Sequence, residues 1–180
     1  MAAAGVQVSI FSSAATTPAG SSGETTGLCF NREDARSETD SPIPIPTTTS
    51  GTNYSWNKFL GLEVISTGTT SISNRQVARS SASPAGIIIY WATTSVYTQP
   101  STLITGNTTA DDVDPDGATT GWTALTTTYV AYSTASATTS TGLSGLYTKL
   151  VIGVSSTGTY TGGPGTGIVL PNLLLSYDEA

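Results

Sequence analysis

Gly86-Ile87-Ile88-Ile89-Tyr90-Trp91-Ala92 is the densest apolar run in the chain. It is built from β-branched and aromatic residues, which favour a pleated strand. Ser83-Pro84-Ala85-Gly86 in front of it carries turn chemistry. The run is also shorter than the ten to twelve or so residues of an ordinary helix. It therefore predicts a strand, and its unbroken apolar character predicts burial on both faces, with Ile88 and Tyr90 turned to the core.

Working outward, the same reading extends to both sides. Lys58 to Ser66 alternates, placing Leu60, Leu62 and Val64 on one face. Ser71 to Arg79 is a sparser strand candidate with Ile72 and Val77. Trp122 to Val130 reads as a Thr-rich strand. Leu146 to Ser155 puts Leu150, Ile152 and Val154 inward. Ile168 to Tyr177 is a last strand, where Pro171 indicates an edge or a bulge and Leu173 faces the core. Ser66-Thr67-Gly68, Asp114-Pro115-Asp116-Gly117 and Gly162-Gly163-Pro164-Gly165 mark the breaks. Short strands at this spacing, with no helical periodicity, predict an all-β fold: an antiparallel β-sandwich or jelly roll occupying residues 51–180.

Residues 1–50 read differently, as an extended N-terminal arm. Val6, Val8 and Ile10 alternate with polar residues and predict one short strand, and Gly27 to Phe30 a second. Between them Ser12 to Thr26 is almost entirely Ser, Thr, Ala and Gly, with little to bury. Ser41-Pro42-Ile43-Pro44-Ile45-Pro46 fixes φ at alternate residues and removes their donors, so it predicts extended polyproline II. Pro42, Ile43, Pro44, Ile45 and Pro46 are candidates for anchoring the arm to a neighbouring surface, together with Tyr54 and Trp56.

Composition narrows the chemistry. The 180 residues include 34 Thr and 24 Ser but no histidine and a single cysteine, Cys29. Without histidine there is no Ser-His or Cys-His pair and no His-ligated zinc. One cysteine forms no internal disulfide, and beside Phe30 it reads as a small buried hydrophobe. Six basic residues against twelve acidic ones give a net charge of −6, the wrong sign for a phosphate-neutralising surface. Direct nucleic-acid binding is therefore not expected. Met1 to Gly5 lacks the charged and apolar regions of a secretory signal. The apolar runs fall far short of the ~20 residues of a membrane helix. A soluble protein synthesised in a cytoplasm is expected, with no membrane partner, so the glycosylation-like triplets at Asn53 and Asn107 are set aside.

Few constellations suggest a site. Asp112-Val113-Asp114-Pro115-Asp116-Gly117 matches the first half of a calcium loop, where Asp112, Asp114 and Asp116 would converge on a cation. The twelfth position is Thr123 instead of a bidentate Glu, so an acidic turn is the plainer reading. Gly162 to Gly167 lacks the Lys-Ser/Thr of a phosphate loop. Glu63 is the lone acid within a clear strand, and no carboxylate pair suited to glycoside hydrolysis stands out. Trp56, Trp91 and Trp122 would suit a sugar platform, but packing is the plainer role for each. No catalytic residue, metal or cofactor is expected, and the chain reads as a non-enzyme.

A pattern spread along the chain resembles the structural proteins of tailed bacteriophages. It consists of Cys29-Phe30-Asn31-Arg32-Glu33-Asp34, the Pro42 to Pro46 segment, Tyr54-Ser55-Trp56-Asn57-Lys58-Phe59-Leu60, Ser71-Ile72-Ser73-Asn74, and the ending Leu175-Ser176-Tyr177-Asp178-Glu179-Ala180. In those proteins an Asn-Phe-Asn-like strand leads to a "PIPIP" segment, a "YSWEKW" strand and a Thr- and Gly-rich β region with an "FSYDE"-like tail. The resemblance covers most of the chain from Phe30 onward.

It implies a virion component. The leading expectation is a capsid cement or decoration protein on the capsid exterior, bound to the major capsid protein and homo-oligomeric on the particle. The acidic charge agrees with a position outside the packaged DNA. A tail, neck or baseplate protein is the alternative within the same class. A carbohydrate-binding adhesin module is the alternative from another class.

Overall fold

The computed structural model describes residues 5–11, 30, 52–55, 58–66, 72–94, 122–133, 142–156 and 170–179. The nine strands among them are β1 (Gly5–Phe11), β2 (Thr52–Tyr54), β3 (Lys58–Ser66), β4 (Ile72–Arg79), β5 (Ile87–Thr94), β6 (Thr123–Ala124), β7 (Val130–Ser133), β8 (Gly142–Ser155) and β9 (Leu173–Glu179). No helix occurs among the described residues. The described part is all-β, as expected.

The strands form two antiparallel sheets. The larger has the order β1-β3-β8-β5-β6, with β2 also paired to β8. The smaller has the order β7-β4-β9. The fourteen-residue β8 is the axis of the larger sheet: β5 runs along one side, and β2 and β3 lie along the other. Pro171 falls just before β9, an outer strand of the smaller sheet, so its missing N–H donor costs the ladder nothing.

One apolar cluster draws on both sheets. Leu60 and Leu62 of β3, Ile87, Ile89 and Trp91 of β5, and Leu150, Ile152 and Val154 of β8 meet Val77 of β4 and Leu125. Val8, Phe30, Val130, Leu170, Leu173 and Leu175 pack around them, half-buried. Removing each large aliphatic side chain from water contributes about 1.5–3 kcal/mol, enough to hold the strands against chain entropy only because so many share one cluster.

The expected core is corrected at one strand. Leu60, Leu62, Leu150, Ile152 and Val154 are buried as predicted, and Leu173 is half-buried. Val64 lies in β3, and its side chain is outside the described part. In β5 the faces are reversed: Ile87, Ile89 and Trp91 enter the shared core, while Ile88 is 43% exposed. Tyr90 is buried, but in a separate cluster on the other face. A run that is apolar at every position has no alternation to say which half points inward. Ile88 lies opposite Gly153, which offers no side chain to cover it.

The segment expected as one strand over Trp122 to Val130 is instead a bridge between sheets. Thr123 and Ala124 pair with Trp91 and Tyr90 of β5, and Leu125 N–H donates to the Ile89 carbonyl at 2.7 Å. One residue later the Thr126 carbonyl accepts from Arg79 N–H of β4 at 2.9 Å. The Thr126 hydroxyl accepts from Thr128 N–H at 3.3 Å, a local turn that competes with strand continuation. Leu125, 1% exposed, fills the core where the chain changes sheets.

The connection from β4 to β5 also changes sheets. Ser80 N–H donates to the Asn172 carbonyl at 2.9 Å, and Ser80 Oγ accepts from Asn172 N–H at 3.0 Å, tying the end of β4 to the start of β9. Ile87 N–H then closes on the Pro84 carbonyl at 3.0 Å. Gly86, with φ of 82°, supplies the left-handed third position of that type II turn.

Candidate interaction surface

The outer face of the larger sheet carries an aromatic group set by a bulge. Tyr54 of β2 lies opposite Gly153, and Lys58 of β3 lies opposite Leu150. Four steps along one chain (54 to 58) thus meet three along the other (153 to 150), leaving one extra residue. In an unbroken strand Tyr54 and Lys58 would share a face. The insertion separates them: Lys58 aligns with Leu60 and Leu62, and Tyr54 passes to the opposite face.

Ser55 completes the bulge. Its N–H donates to the Ile152 carbonyl at 2.9 Å, and its Oγ accepts from Ile152 N–H at 3.0 Å. A hydroxyl so replaces the backbone acceptor that the irregular ladder would withdraw from a buried N–H. Ser55 is fully buried. Alanine there would leave the Ile152 donor without this acceptor.

On the outer face Tyr54 packs with Tyr90, and Trp122 lies half-buried against the pair. Gly153 permits this contact, because a β-carbon there would stand 3.0 Å from Tyr54 Cε1 and 3.1 Å from Thr52 Cγ2. The aromatic ring covers the glycine and restores packing that its missing side chain removes. Ile88, on the same face and opposite the same glycine, remains exposed.

A second bulge lies in the smaller sheet. Ser73 pairs with Asp178 and Gln76 with Ser176, so three steps (73 to 76) meet two (178 to 176). Asn74 takes the left-handed conformation there, φ 46°. Asn tolerates it better than most residues because its short amide bonds locally. Asn74 Nδ2 donates to Asp178 Oδ2 at 2.9 Å across the exposed rim.

The sequence candidates distribute unevenly over these features. Tyr54 is 6% exposed and engaged with Tyr90, so its ring is packed within this chain. Trp91 lies in the shared core, which removes it from any sugar platform, and Trp122 is half-buried on the outer face. Pro42, Ile43, Pro44, Ile45, Pro46, Trp56, Cys29, the loop acids Asp112, Asp114 and Asp116, and Gly162 to Gly167 lie outside the described residues. So do Gly27 to Cys29 of the short strand expected over Gly27 to Phe30, whose last residue, Phe30, is described and lies in no strand.

Sequence reasoning missed β2, Ser55 and the role of Gly153. The one-residue shift is invisible in a hydrophobic pattern, since Tyr54 is apolar enough to fit either face. The signal that could have found Gly153 is a glycine inside an otherwise apolar strand, Val151-Ile152-Gly153-Val154.

The surface offers an exposed isoleucine beside packed aromatic rings and an Asn–Asp pair on a rim. Among the described residues no three acidic or cysteine side chains gather as a metal site. Comparison with known proteins yields no match to a protein-family model, a curated protein or a solved structure.

Proposed function

We propose that this chain is a structural component of a tailed-bacteriophage virion, and that it serves as a capsid cement or decoration protein on the outer face of the shell. The reading rests on the sequence resemblance, and one observation carries it further. Several of the motif residues that can be described stand where strand pairing is interrupted, while others, such as Leu60 and Leu175, pack with the shared core. Ser55 stands beside the first bulge, and Ser73, Asn74 and Asp178 lie at the second. Residues whose task is to bend and terminate β ladders suit a scaffold that must be rigid and must avoid uncontrolled edge pairing.

Two further points support it. The chain has no histidine and few charges, which fits a protein whose work is contact. Its acidic balance favours the outside of a DNA-filled shell over the inside. We read the two sheets as the layers of a β-sandwich, because Val77, Val130, Leu173 and Leu175 of one share a cluster with Leu62, Ile89 and Ile152 of the other.

The deciding experiment is the copy number and location of this protein in purified particles. A decoration protein is present in many copies distributed over the head. A few copies confined to the tail or neck would assign the alternative virion role, and absence from particles would overturn the proposal.

A further inference from the structure

We draw no further inference here: the strongest candidate, the apolar patch on the outer face of the larger sheet where Ile88 stands exposed beside the packed rings of Tyr54 and Tyr90, carries nothing, because nothing in the structure shows what covers it.

Discussion

Tyr54 lies across Gly153, its Cε1 3.0 Å from the place where a β-carbon on that glycine would stand. The two residues are also direct register partners across β2 and β8. The glycine is therefore a packing requirement as much as a backbone one. Gly153→Ala should force Tyr54 and Thr52 to move and destabilise the protein by about 1–3 kcal/mol, the usual cost of overpacking. The same substitution in a Tyr54→Ala background should cost less, because the closest obstacle is gone. Urea denaturation of the four proteins of this cycle measures both effects, and an alanine that is neutral in the parent background would refute the contact.

The reversed faces of β5 make a sharper contrast. Ile88 and Ile89 are adjacent and chemically identical, yet one is 43% exposed and the other 4%. Ile89→Ala should cost about 2–5 kcal/mol through lost burial and a cavity in the shared core. Ile88→Ala should stay within about 0.5 kcal/mol. Comparable losses at both sites would mean that the strand is covered on both faces.

How much was legible in advance follows from where a pattern had contrast. β3 and β8 carry Gly61, Glu63 and Gly153 between apolar residues, enough contrast for their period to place Leu60, Leu62, Leu150, Ile152 and Val154 inward, although Phe59 is buried as well. β5 has no polar residue among Ile87 to Trp91, so its existence was plain and its orientation was not. The Trp122 to Val130 segment failed for another reason. Its threonines favour strand locally, but the backbone of Leu125 bonds to one sheet and that of Thr126 to the other. Such a division is a tertiary event with no local signature. The bulges were illegible for the same cause: an extra residue matters only relative to a partner strand far away in sequence. The arm strand over Val6 to Ile10 was readable, whereas its pairing with β3 was not.

Ser55 offers a test of the bulge itself. Ser55→Ala keeps the volume nearly constant and removes the Oγ that accepts from Ile152 N–H at 3.0 Å. A buried donor left in that state costs about 1–3 kcal/mol. Hydrogen exchange should locate the effect, with the Ile152 amide losing protection more than its neighbours in β8. A uniform loss along β8, or none, would show that the hydroxyl is not that amide's partner.

Asn74 tests the second bulge. Its φ of 46° favours residues that accept the left-handed region. Asn74→Gly should be tolerated within about 0.5 kcal/mol, since the backbone is unstrained and the lost bond to Asp178 is exposed. Asn74→Val should cost roughly 1–2 kcal/mol, the penalty of a side chain in that conformation. The order Gly above Val in thermal midpoint is the expected result. Equal midpoints would indicate that residue 74 is not left-handed in solution.

Shell reinforcement is the functional consequence most open to measurement. A protein that binds only the mature lattice stabilises that lattice by its binding free energy, multiplied over many copies. Particles lacking this chain should still assemble and package DNA, yet release it at lower temperature or under milder osmotic shock. Purified protein added back should restore resistance. The restoration should depend weakly on salt if apolar contact and strand pairing supply the attachment, because added ions screen charge interactions and leave those terms largely intact. Depleted particles as robust as complete ones, but lacking tails or unable to adsorb, would move the protein from the head to the neck or tail.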